Sequence, residues 1–295
     1  MNQNQEVRSF LLQSLERDTE EKSIQWLKQK AQKIQESTSP TSFFLAFSQA
    51  SRFFSKDLLS LSDQEKNQSS QIVSGFELAH WNRLQAARSF LLLYLPQEKK
   101  TWFSAINQLF ETGDMHEQQA LFAALPILPF QEDLLTRAID GCRTNMTLIF
   151  DAISLNNPFP AAFFPEANWN QLVLKAVFMQ RPLYRIQGLE KRRNSALAEI
   201  ASDFAHERWA AGRNVMPELW RLVVPFMNDQ YLADLKKVMN STDELEHSAG
   251  ALTLYQSDFA PAKALLADYP KLLSLVESGG ITWEKIGKEY QDSRI

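Results

Sequence analysis

Apolar residues in this chain return every three or four positions, in runs of about ten residues that proline, serine or aspartate keeps interrupting. Phe10, Leu11 and Leu15 form one such stripe, and Ile24, Leu27, Ala31 and Ile34 a second, divided near Asp18 and Thr19. Helices this short cannot bury their stripes alone, so neighbours must pack as αα-hairpins. Nine glycines in 295 residues, with no Asn-Gly or Asp-Gly turn between alternating segments, leave little room for a sheet. The expected fold is all-α: stacked helical hairpins in a HEAT-like α-solenoid, or αα superhelix. Residues 1–295 are expected to form a single helical-repeat-like domain, although no strict period is visible.

Boundary signals divide the chain. Ser39-Pro40 offers a helix start ahead of Phe43, Phe44 and Phe47, and Ser62-Asp63-Gln64-Glu65 reads as a capping box. Phe76 to Leu95 reads as one long helix closed by Pro96, followed by helices over Glu98 to Phe110 and His116 to Leu125. Pro126 and Pro129 break the chain before a short helix, Glu132 to Ile139. Beyond Arg221 the spacing predicts helices over Gln230 to Met239, from a Ser241/Glu244 capping box, over Ala260 to Ala267 and over Leu272 to Val276. Gly279-Gly280 reads as the turn before the last helix.

An apolar fraction of 44% is that of a folded protein. Net charge is −4 with the two signs intermixed, which argues against a nucleic-acid surface. Gly141 to Arg221, with ten basic against seven acidic side chains, is the only net-positive third, and a small anionic ligand prefers it. Cys142 is the single cysteine, so an internal disulfide and a Cys-based zinc site are excluded and a reducing cytoplasm fits. Met1 to Arg17 lacks the apolar stretch of a signal peptide. The longest apolar run, Phe90 to Leu95, falls far short of the roughly 20 residues that span a bilayer. The expectation is a cytoplasmic protein without membrane insertion.

No complete catalytic motif is present. His206-Glu207-Arg208-Trp209-Ala210 begins like a zinc-protease HExxH but has alanine where the second ligand must stand, and phosphate-cradling glycine loops and a GxSxG elbow are missing. No metal or cofactor is expected.

The middle third differs because polar residues intrude on apolar helices. On Asn168 to Met179, Asn168, Gln171 and Lys175 recur at spacings of three and four and form one narrow polar stripe. On the helix expected from Thr144 to Leu155, Asn145 shares the face of Leu148, Ile149, Ala152 and Ile153, with Asp151 across from it. Asn156-Asn157-Pro158-Phe159-Pro160 is a stiff connection that side-chain amides can tie down. Ala196 to Ala211 reads as a third helix, ending at Gly212, with Asp203, His206 and Glu207 on its polar side. His206 is a candidate acid or base, although a lone helical histidine is more often structural. Arg143, Arg181, Arg185, Arg192, Arg193, Arg208, Arg213 and Arg221 suit paired hydrogen bonds to an anion, or salt bridges to Asp151, Asp203, Glu207 and Glu218. The candidate ligand set is Arg143, Asn145, Asp151, Asn168, Gln171, Lys175, His206, Arg208, Arg213 and Arg221.

Gly141-Cys142-Arg143-Thr144-Asn145-Met146, Phe150-Asp151-Ala152-Ile153, Asn156-Asn157-Pro158 and Asn168-Trp169-Asn170-Gln171 together resemble the EboA family. So does Ala205 to Arg213 with Pro217-Glu218-Leu219-Trp220-Arg221, and the resemblance spans roughly Gln118 to Arg221. It implies a bacterial protein encoded beside enzymes of secondary metabolism and associated with moving or processing metabolite precursors, its biochemical activity open. The expected function is a non-catalytic binding or scaffold protein with a polar pocket in the middle third, partnered by a small anionic metabolite or by proteins of the same gene cluster. The alternative is a metal-independent enzyme that uses His206, with Asp203, Glu207 or Lys175, on a small anionic metabolite.

Overall fold

Helices begin in this protein where an oxygen-bearing side chain precedes an apolar stripe, because that oxygen satisfies an otherwise orphaned N–H of the first turn. The computed structural model describes residues 2–294, and among them helices are the only regular elements, with one isolated bridge between Leu58 and Asn82. The chain divides into two compact units, Met1–Pro165 and Glu166–Ile295.

The first unit contains α1 (Gln3–Glu16), α2 (Glu21–Glu36), α3 (Thr41–Gln49), α4 (Asp63–Ile72), α5 (Arg83–Leu92), α6 (Lys99–Thr112), α7 (Met115–Ala123), α8 (Leu135–Gly141), α9 (Thr147–Ser154) and α10 (Phe159–Phe163). The Ser62 capping box forms as expected, with Glu65 answering it. Helices α1, α5, α7 and α9 pack each on the next, flanked by the others. Leu84 to Leu92 of α5 is buried on every side, as a helix in the middle of a unit must be. Arg88, 1% exposed, survives there because Nε donates to the Phe47 carbonyl at 3.0 Å and a terminal nitrogen lies 3.4 Å from Glu117.

The long helix expected over Phe76 to Leu95 is corrected. Helical structure starts only at Arg83, because Asn82 caps it and the N–H groups of Arg83 and Leu84 bond the carbonyls of Asp57 and Ser55. A distant segment thus supplies the partners that earlier helical turns would have supplied. Phe76 and Trp81 pack edge to face, 5.3 Å apart, in the irregular stretch. Asn157 fulfils the role expected of it: 4% exposed, it donates to the carbonyls of Phe122 and Ala152 at 3.2 and 2.9 Å and accepts from the Phe159 N–H at 3.0 Å.

The second unit contains α11 (Glu166–Phe178), α12 (Leu189–Arg192), α13 (Ser195–Ala210), α14 (Asp229–Met239), α15 (Glu244–Gln256), α16 (Ala260–Ala267), α17 (Pro270–Glu277) and α18 (Trp283–Asp292). Helix α15 is its axis: Ala249 to Leu254 are buried all round, and α14, α16, α17 and α18 pack on it. The cap of α15 is Asp243, which accepts from the N–H groups of Leu245 and Glu246, in place of the expected Ser241. Ser241 instead accepts the Asp243 N–H and so holds the capping residue. A tight 3-10 segment, Pro217–Leu222, also meets α15, and all six of its residues are buried.

Candidate functional site

The buried 3-10 segment brings charge into the interior of the second unit, and the chain answers it with partners. Glu218 is wholly buried and accepts the N–H of Leu183 at 3.0 Å and of Tyr184 at 2.6 Å. Arg221, 5% exposed, lies 3.2 Å from Glu218 and also pairs with Glu190. Its guanidinium stands over the Trp283 ring, 5.3 Å from the centroid. Burial is the largest influence on Glu218 and outweighs Arg221 and the two N–H groups, pushing its carboxyl up to about 7. For Glu190 burial acts upward too, but the charge and hydrogen bond of Arg221 win and its carboxyl lies below the ordinary value. Gly287 of α18 makes this possible, since a Cβ there would stand 2.3 Å from the Tyr184 ring and 2.7 Å from Glu218 Oε2.

This charged cluster fixes a neighbouring cation. Half-buried Arg193 donates from Nε to the Glu190 carbonyl at 3.3 Å and from a terminal nitrogen to the Arg221 carbonyl at 2.8 Å. Both acceptors are neutral carbonyls that orient the guanidinium, and the Glu190 charge also acts on it. Asn194 follows it as the cap of α13, accepting the Leu197 N–H, and exchanges hydrogen bonds with Asn170 of α11 at 3.1 and 2.8 Å. Arg193 lines a cleft of about 420 Å³, opposite Gln256, Ser257 and Asp258, with Val224, Met227 and Phe259 as apolar walls. The Trp283 indole N–H donates to Gln256 Oε1 at 2.9 Å and so fixes the Gln256 amide by its oxygen. The lining is mixed, with Arg193, Gln256, Ser257 and Asp258 beside Val224, Pro225, Met227 and Phe259, and oriented polar groups next to apolar walls fix a small molecule's position.

The sequence-predicted residues fall on both units. Arg143, exposed and paired with Asp140, and half-buried Asp151 belong to the first. Asn145 also lies there, but the expected helical face does not hold it: α9 starts at Thr147, the Thr144 hydroxyl accepts the Met146 N–H, and Asn145 is exposed. On α11, Asn168 and Lys175 are half-buried and Gln171 is exposed, while Asn170, which lies beside that stripe in sequence, is buried. Arg208 forks onto the Asn214 carbonyl at 3.0 and 2.9 Å and Arg213 is exposed. Arg221 is committed to two carboxylates, so it positions Arg193 through its own carbonyl.

His206 meets a carboxylate other than the expected ones. Its Nε2 lies 2.7 Å from Oδ1 of Asp234 on α14, and the Ser202 hydroxyl donates to Oδ2 of the same carboxylate at 3.0 Å. In a nucleophilic triad the imidazole stands between hydroxyl and carboxylate. Here the carboxylate stands in the middle, and Ser202 has no base. The His206 ring is partly exposed beside Trp209, whose indole stacks on Trp220 and carries the Lys237 ammonium 3.9 Å from its centroid.

Asn170, Glu190, Asn194, Asp234 and Gln256 escape sequence reasoning. Asn170 alone had a local signal, an amide set between Trp169 and Leu172 on a strongly apolar helix. Among the described residues no cluster of His, Cys, Asp and Glu has the makings of a metal site, and no helix is long and apolar enough to cross a membrane. No curated protein and no solved structure matches the chain. Residues 7–224 match the family described as metabolite traffic protein EboA, a span that extends far N-terminal to the strings that suggested it and takes in Arg193, Glu218 and Arg221. With roughly three quarters of its length inside that match, the chain belongs to the EboA family.

Proposed function

We propose that this chain is a non-catalytic binding protein for a small anionic metabolite, which it holds in the Arg193 cleft of the second unit. The observation that carries the reading is the orientation of Arg193 by two neutral carbonyls in a cleft that apolar side chains share with polar ones. Burial, the main influence, lowers the Arg193 pKa; the Glu190 charge works against it and neighbouring Arg221 adds to it. Such a cation gains by meeting an anion. Gln256 adds an amide to the lining, Asp258 adds a carboxylate that the ligand's anionic end has to avoid, and Val224, Met227 and Phe259 suit a hydrocarbon or aromatic body. The fitting ligand is therefore a small organic acid with an apolar body, which accords with the traffic role in the family's description. A cytoplasmic setting fits a chain with one cysteine. The row formed by α1, α5, α7 and α9 supports reading the first unit as stacked helical hairpins of the HEAT-like solenoid kind.

Thermal unfolding with benzoate, hexanoate and succinate as probes tests the site. The apolar acids should raise the midpoint of the wild type and leave Arg193→Ala unmoved; equal shifts in both proteins contradict the assignment.

The short His206–Asp234 contact favours a second reading, acid-base chemistry on a metabolite. Turnover of a pathway intermediate that vanishes in His206→Ala would replace the binding role with an enzymatic one.

A further inference from the structure

The turn between α1 and α2 borders a second cleft, of about 540 Å³, lined within the first unit by Asp18, Thr19, Glu20, Ser23, Arg52 and Arg83 among others. Its donors outnumber the partners the protein gives them. Ser23, only 7% exposed, lines the cleft with its hydroxyl-bearing side chain. The Thr19 hydroxyl and Arg83 Nε, both shielded from bulk water, have no hydrogen-bond partner. Arg83 pairs at a distance with Asp57, 3.7 Å away, its charge also acts on Asp18, and exposed Arg52 lines the same cleft. Helix α2 starts here with Glu20 at its N-cap, whose side chain caps none of the free N–H groups of the first turn. Buried polar groups in folded proteins are otherwise nearly all paired, so a cluster of unpaired donors around one cleft points to an absent acceptor.

The opposite requirement is present as well. Asp18 uses Oδ2 to accept the Ser60 N–H at 3.2 Å, and bonding by Ser60, with Arg83 and Arg17 adding to it, holds the carboxyl below its ordinary value and ionised. Glu20 supplies a second carboxylate, and Phe53, stacked on Trp26 at 4.2 Å, supplies an aromatic wall. We propose that this cleft is a separate ligand site for a small molecule that carries an anionic group, phosphate or carboxylate, next to a hydroxyl or ammonium group. The anion meets Arg83, Arg52 and the start of α2, and the hydroxyl or ammonium meets Asp18 or Glu20. This site does not depend on the Arg193 cleft and differs from it in chemistry, since it reads polar groups at both ends of its ligand.

Isothermal titration of the full chain with O-phosphoethanolamine, glycerol 3-phosphate, glycerate, inorganic phosphate and glycerol tests the proposal. At least one of the three bifunctional probes should bind about tenfold or more tightly than phosphate or glycerol, the margin of one charged contact. Comparison of glycerol 3-phosphate with glycerate tells which anion is preferred. Arg83→Gln and Asp18→Asn should each weaken that binding by about tenfold, while Arg193→Ala leaves it unchanged. If Arg83→Gln lowers the unfolding midpoint, exposed Arg52→Ala takes its place with the same expected loss. The proposal is overturned if no probe binds, if phosphate alone binds as tightly as the best probe, if binding survives the charge-removing variants, or if Arg193→Ala abolishes it.

Discussion

Replacing Glu218 by alanine removes the group on which the interior of the second unit is organised. The carboxylate accepts two backbone N–H groups, from Leu183 and Tyr184, and faces Arg221, all in a place without water. Alanine orphans both N–H groups, at ~1–3 kcal/mol each, while Arg221 keeps Glu190 as a partner. Breaking one side of a buried ion pair costs ~3–5 kcal/mol, and the same figure serves for the sum here because part of the charge remains compensated. One kcal/mol moves the midpoint of a domain of this size by ~2–4 °C, so Glu218→Ala should melt roughly 6–20 °C below the wild type. Circular dichroism melts and urea titration followed by tryptophan fluorescence read the loss. A loss below ~1 kcal/mol would refute the reasoning, since it would mean that the two N–H groups and Arg221 find other partners at no cost. The same residue gives a pH dependence. With its carboxyl raised from 4.5 to about 7 in the folded chain, Glu218 binds a proton between those values that the unfolded chain has released. Its contribution is full below the lower value and is lost as pH rises through the upper one, by at most ~3 kcal/mol. Glu190, shifted downward, acts oppositely: its contribution is present above the ordinary carboxylate range and lost in acid. Glu218→Gln should therefore flatten the decline between about pH 5 and pH 8.

Two further variants test the packing. Gly287→Ala forces a Cβ to within 2.3 Å of the Tyr184 ring and 2.7 Å of Glu218, and overpacking of this kind should cost ~1–3 kcal/mol in urea unfolding. Asn157→Ala strands the Phe122 and Ala152 carbonyls and the Phe159 N–H, and the midpoint in the same assay should fall by an amount equivalent to ~2–4 kcal/mol.

The elements most legible in the sequence are those whose ends are set by their own side chains. Ser62 with Glu65, the stretch Ala260–Ala267 and the Gly279-Gly280 turn before Trp283 fall where local chemistry puts them. Phe76 to Trp81 has helical spacing yet is not helical, because the carbonyls that end the matter belong to Ser55 and Asp57. Glu190, Arg193, Glu218 and Arg221 all lie in the net-positive middle third. What no local pattern announces is that Pro217–Leu222 is buried whole, or that Gly287, some 70 residues on, makes room for Glu218. Arg193 escaped selection from among eight arginines because its orienting partners are backbone carbonyls, which have no sequence signature. The opposite side of its cleft, Gln256 to Asp258, lies beyond the stretch that resembles the family.

Native mass spectrometry of the full chain, isolated without denaturation from cells that produce it, tests the central claim most directly. The binding role predicts wild-type protein with an added small organic acid that collisional activation releases, and Arg193→Ala with the mass of the bare chain and the helical circular dichroism spectrum of the wild type. Wild type and Arg193→Ala carrying the same adduct in the same proportion, or a bare wild type beside a laden variant, would contradict it.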